Sequence, residues 1–103
     1  MSVQPLTEKN FIQQVRNRSE RILIDFWAHW CTPCRMLAPV LEQVSQEMPD
    51  AKIYKINVDE CPALASEFGI NSIPTLIGYA HDNVVQTEIG RRSKDAIVSM
   101  LQG

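Results

Sequence analysis

Asp25-Phe26-Trp27-Ala28-His29-Trp30-Cys31-Thr32-Pro33-Cys34 runs from the end of an apolar stretch into the start of a helical one. Upstream, Arg21 to Ala28 reads as a strand. Its apolar residues Ile22, Leu23, Ile24, Phe26 and Trp27 fall on both parities, the mark of a strand covered on both faces. Downstream, a helix is expected from about Cys34 to Met48. Leu37, Ala38, Leu41, Val44, Ser45 and Met48 recur at spacings of three and four and make one apolar stripe. Pro49-Asp50 stops it. A doubly covered strand followed by an amphipathic helix is the opening of a crossover in an α/β sheet.

Working outward, Ser2 to Leu6 reads as a short strand, placed at an edge by Pro5. Thr7 caps a helix through about Arg16, with Phe11, Ile12 and Val15 facing inward. Past the central helix, Ala51 to Val58 reads as a strand carrying the β-branched Ile53, Ile56 and Val58. Pro62 opens a short helix that Gly69 closes. Thr75 to Ala80 and Val84 to Ile89 are two strands joined at Asp82-Asn83. Ser93 caps a last helix with Ile97, Met100 and Leu101 on one face. The order is β-α-β-α-β-α-β-β-α. Parallel crossovers come first and an antiparallel hairpin last, so a central mixed sheet with helices on both faces is predicted.

At 103 residues the chain predicts one domain, residues 1–103, against a prior of about 150 residues per domain. Ten basic against twelve acidic residues give a net charge of −2. That balance argues against a nucleic-acid partner, which calls for a strong basic excess. The most apolar run, Ile22-Leu23-Ile24, is cut by Asp25, far short of the about 18 residues a membrane span needs. Neither a basic leader before a long apolar run nor a prenylation box is present. A cytoplasmic protein without a membrane partner is the expectation.

The chemistry lies in the cysteines. Cys31, Cys34 and Cys61 are too few, and odd in number, for a disulfide framework. Cys31 and Cys34 form a C-x-x-C pair where the strand gives way to the helix. A helix start offers unpaired N–H groups and the positive end of the macrodipole, so a thiolate there is favoured over a thiol. Such settings bring a cysteine pKa from about 8.5 to roughly 3.5–7.5. Two intervening residues let the sulfurs close a small ring. Pro33 suits an early helical position, whose N–H goes unpaired anyway. Cys31, the outer sulfur, is expected to attack a disulfide, and Cys34, the shielded one, to resolve the mixed disulfide. Trp30 adds a flat apolar platform. The alternative, half of a structural zinc site, needs two more ligands. Only Cys61, His29 and His81 are candidates, and no second C-x-x-C exists.

The quoted segment, together with Gly69-Ile70-Asn71-Ser72-Ile73-Pro74-Thr75 and the lone Gly90 after the last strand, resembles the thioredoxin family along essentially the whole chain. The resemblance implies the thioredoxin fold and a protein-disulfide reductase whose redox group is the Cys31–Cys34 disulfide. It implies disulfide-containing protein substrates, a monomer and no bound cofactor. Reduction would come from a thioredoxin reductase, and the NADPH and FAD belong to that partner. It further makes Asp25 the proton acceptor for Cys34 and puts Lys55 beside that acid. The Ile73-Pro74 bond would be cis and face the cysteines, with the Ile73 backbone pairing to an extended substrate. Gly90 would let the substrate backbone approach. Pro39, inside the long helix, is structural.

Several positions depart from the family pattern. Thr32 replaces the usual glycine between the cysteines and narrows the surface beside Cys31. Gly78 interrupts a strand and marks either a bulge or a small cavity filled from elsewhere. Arg91 and Arg92 form either a basic rim or a solvated pair before the last helix. His29 is at most an exposed modulator, and Cys61 a partly buried, unpaired thiol. Two rival readings are a disulfide oxidase or isomerase on the same fold and a redox-silent binding module. Pro33 opposes the first, since oxidising relatives usually carry histidine there. The presence of both cysteines opposes the second.

Overall fold

The computed structural model describes residues 3–16 and 19–103. Five strands form one sheet in the order β1-β3-β2-β4-β5. They are β1 (Gln4–Pro5), β2 (Ile22–Trp27), β3 (Lys52–Asn57), β4 (Thr75–Ala80) and β5 (Asn83–Ile89). The first three pair in parallel, and β4 and β5 join antiparallel. The helices are α1 (Phe11–Val15), α2 (Thr32–Glu47), α3 (Pro62–Glu67) and α4 (Lys94–Gln102). The element order and mixed sheet are those predicted, and the architecture is the thioredoxin fold.

The alternation of β2 divides the interior in two. Ile22, Ile24 and Phe26 join Phe11 and Val15 of α1 and Leu64 of α3 on one face. Leu23 joins Leu37, Leu41 and Val44 of α2 and Ile97 and Met100 of α4 on the other. Full burial of such side chains contributes about 1.5–3 kcal/mol each. Apolar residues on both parities therefore hold β2 in the centre, which fixes where its end delivers the chain. Asp25 shares the parity of Leu23 and is carried into the α2 side with it. Among the described residues, no helix is long and apolar enough to cross a membrane.

Three local expectations are corrected. Thr7 caps a turn, not a long helix: the Thr7 N–H donates to Asn10 Oδ1 at 2.7 Å and the Asn10 N–H to Thr7 Oγ1 at 3.2 Å. Only Phe11–Val15 is helical, and Ile12, expected inside, is 66% exposed. The central helix begins at Thr32 rather than near Cys34, runs past Pro39 to Glu47, and leaves Ala38 exposed. The β1 strand keeps two residues at the edge; Ser2 lies outside the described residues. Register slips between Gly78 and Tyr79, so of the two readings of Gly78 the structure shows the bulge.

The hairpin turn also lies one residue earlier than expected. His81 and Asp82 have φ of 53° and 61°, and Asn83 already pairs with Ala80. Two consecutive positive φ values define the turn type that favours Asn-Gly. Side chains in this region cost about 1–2 kcal/mol per residue. Replacing His81-Asp82 by Asn-Gly is expected to stabilise the protein by about 1 kcal/mol, read as a shifted denaturant midpoint with unchanged slope. An unshifted midpoint would show that the present side chains offset the strain.

Candidate active site

At the end of β2 the chain turns through Ala28, His29 and Trp30 and enters α2. Cys31 is the N-cap residue, with extended backbone (φ −92°, ψ 110°), and Pro33 lies in the first two helical positions. The N-cap position normally uses a side-chain oxygen to accept from the first-turn amides. Here a sulfur does so: the Cys34 N–H donates to Cys31 Sγ at 3.2 Å. Cys31 and Cys34 are joined as a disulfide, with Cα atoms 5.2 Å apart. Cys31 is 5% and Cys34 2% exposed, so in this closed state the expected difference in access is small.

Beneath the pair lies a cavity of about 90 Å³ lined by Asp25, Trp27, Cys34, Arg35, Glu42 and Lys55, among others. Asp25 is 4% exposed, and its Oδ1 has no hydrogen-bond partner among the described residues. Burial pushes its pKa up from the usual carboxylate value to about 7, against the opposing pull of the Lys55 cation. Asp25 and Lys55 are register partners on β2 and β3. Lys55 Nζ lies 5.5 Å from the centre of the Trp27 ring. The acid, its moderating cation and the inner cysteine thus line one space.

On the outer side, the Cys31 Sγ lies 3.7 Å from the Ile73 carbonyl oxygen. The Ile73-Pro74 bond is cis and Pro74 is buried. Gly90 donates its N–H to the Pro74 carbonyl at 2.8 Å. Its φ of +91° explains why glycine stands there. Trp30 is 67% exposed and donates Nε1–H to Asp59 Oδ2 at 2.9 Å. A groove of about 330 Å³ runs between Trp30, Val58, Ile70, Ser72 and Ile73. Thr32 is exposed beside Cys31 and accepts from Arg35 Nη2 at 3.2 Å.

Every site residue singled out in the sequence therefore lies around the disulfide, in an inner set (Asp25, Lys55, Cys34) and an outer one (Trp30, Thr32, Pro33, Ile73, Pro74, Gly90). Two neighbours went unread. Asp59 follows β3 with no local signal that it holds Trp30. Arg35 looks like any solvated helix residue until its Nη1 is seen donating to the His29 carbonyl at 2.7 Å. Cys61, expected partly buried, is fully buried, with Sγ 3.8 Å from the Leu6 carbonyl oxygen. Burial, with Glu8 nearby, pushes its thiol pKa up. The described residues hold no group of three or more His, Cys, Asp or Glu placed to bind a metal ion.

The thioredoxin family model matches residues 2–103. The chain is 43% identical over 102 residues to a thioredoxin of Pyropia yezoensis, covering 98% of this chain and 95% of the relative. It is 42% identical over 97 residues to thioredoxin 1 of Synechococcus elongatus (93% and 91%). It is 44% identical over 90 residues to a thioredoxin of Buchnera aphidicola (86% and 83%). With its cysteine pair closed at the head of α2 above a buried acid, this chain belongs to the thioredoxin family and is a thiol–disulfide oxidoreductase.

Proposed function

We propose that the chain reduces protein disulfides in two steps, with Cys31 as attacking thiolate and Cys34 as resolving thiol. The observation that carries this reading is the Cys34 N–H aimed at Cys31 Sγ from the N-terminus of α2. A donor there stabilises sulfur as an anion, and the thiolate is the nucleophile. In the dithiol form, Cys31 S⁻ attacks a substrate disulfide. A Cys31–substrate S–S bond forms, and the other substrate sulfur leaves as a thiolate that takes a proton from water. Cys34 then gives its proton to the Asp25 carboxylate and attacks Cys31 Sγ. The Cys31–Cys34 bond forms and the second substrate thiolate departs. Two electrons pass to the substrate, and the chain is left oxidised.

Asp25 suits the acceptor role because a pKa of about 7 lets it take and return a proton near neutrality. Lys55 keeps that value from rising further. Ile73, Pro74 and Gly90 form the backbone wall against which an extended substrate lies, with Trp30 and Thr32 opposite. Pro33 sets the start of α2. The cysteine pair carries the electrons itself; a thioredoxin reductase, with its own flavin and NADPH, resupplies them. We place this cycle in the cytoplasm, where thiols are kept reduced, and read residues 1–103 as one domain acting as a monomer.

The test is reduction of insulin, followed as turbidity from the released chains with dithiothreitol as electron source, together with the equilibrium against glutathione. Catalysed turbidity and a potential below about −240 mV are expected. A potential near that of strong disulfide oxidants, about −120 mV, would instead establish an oxidase. Thr32→Gly in the same equilibrium isolates one departure. Glycine's extra freedom, about 0.5–1 kcal/mol, favours the open dithiol over the closed ring. The potential is expected to rise by about 10–20 mV without reversing the reaction; identical constants would remove this role for Thr32.

A further inference from the structure

We propose that Arg91, with Arg35 in the first turn of α2, selects substrate disulfides flanked by acidic side chains. The inference rests on the disulfide-reductase reading and names the substrate class of that same site. Three short links connect Arg91 to the reacting sulfur. The Ile73 carbonyl lies against Cys31 Sγ, Pro74 follows it, and Gly90 donates to the Pro74 carbonyl. Arg91 is the next residue. It is exposed, and its Nη1 reaches Met36 Sδ at 3.4 Å, two residues beyond Cys34. The guanidinium therefore spans from the Gly90 loop to the first turns of α2. Arg35 is held on the same helix by the His29 carbonyl and Thr32 Oγ1.

Neither of these two cations has a carboxylate partner among the described residues. The adjacent Arg92 differs: Nε is paired with Glu88 Oε1 at 3.1 Å. The sequence left Arg91 and Arg92 as either a basic rim or a solvated pair, and the structure divides them. Arg92 belongs to an ion pair with Glu88, while Arg91 keeps an open positive charge next to the Gly90–Pro74 link. These two unpaired cations stand near the disulfide of a chain whose net charge is −2. Unpaired positive charge on a net acidic protein is a local feature, and its chemical complement is a carboxylate beside the substrate cysteine.

The experiment uses the full chain and three disulfide peptides of one sequence, differing only in Glu, Gln or Lys two residues from a cysteine. At low salt the wild type is expected to reduce them in the order Glu, Gln, Lys, with about threefold in kcat/KM between neighbours, the size of one exposed charge pair. Arg91→Glu is expected to invert that order and Arg91→Ala to flatten it. In 1 M salt, where screening acts within about 3 Å, the preference should vanish. A wild type that treats all three alike at low salt, or an Arg91→Glu chain that keeps the original order, overturns the proposal. Should the wild type fail even on the Gln peptide, the reductase reading itself falls and takes the proposal with it. The Gln peptide thus separates the two failures.

Discussion

Cys34→Ser is expected to stop turnover while leaving the first attack intact. Serine cannot complete the ring, so each mixed disulfide on Cys31 must wait for an external thiol. An oriented neighbouring group acts at effective concentrations far above those of a dissolved reagent. Loss of at least about a thousandfold in steady-state insulin reduction is expected on that ground. Covalent adducts with substrate chains should accumulate, visible on a non-reducing gel and cleared by dithiothreitol. Cys31→Ser should be equally inactive and yield no adducts. Adducts formed by Cys31→Ser and missing from Cys34→Ser would reverse the assignment of the two sulfurs, an assignment that rests on Cys31 being the one that receives the helix amide.

The second large effect concerns Asp25. Its folded pKa of about 7 stands above the unfolded value near 3.8. Between those values the folded chain holds a proton that the unfolded chain has released. Stability from this group is therefore full below about pH 4, falls as pH rises, and is gone above about pH 7. The difference, about three pH units, corresponds to about 4 kcal/mol. Asp25→Asn removes the charge and the slope with it. Relative to the wild type, the variant should gain about 4 kcal/mol between pH 4 and pH 8 in denaturant titrations of the oxidised form. It should also resolve mixed disulfides about a hundredfold more slowly near neutrality, the usual worth of a positioned base, and lose the rate titration near pH 7. A wild type and variant with parallel stability curves would show that Asp25 ionises freely and cannot be the acceptor.

Much of this was legible because burial and capping leave patterns in sequence. Apolar residues on both parities of β2 placed it centrally, and Asp25 stood out as the one charge within that run. Pro33, Pro62 and Ser93 marked helix starts that the structure bears out. The misses arose where one local signal stood for two outcomes. Thr7 closes a turn as readily as it caps a helix, and Ile12 fitted an inward stripe only while α1 was read as longer than its five residues. Asp82-Asn83 looked like the turn because both residues favour turns, yet the backbone bends at His81-Asp82. Asp59 and Arg35 lay beyond reach for another reason. Their roles come from tertiary contacts with Trp30 and His29, and no periodicity or spacing records such a contact.

Cys61 gives the molecule a property of practical use. Its sulfur is sealed in the interior, and its thiol is held in the unreactive protonated form by burial. The folded chain thus offers alkylating reagents the outer sulfur of Cys31 when open and no sulfur when closed. Mass tagging of native extract can then report the proportion of oxidised molecules directly, with no third site to blur the tally.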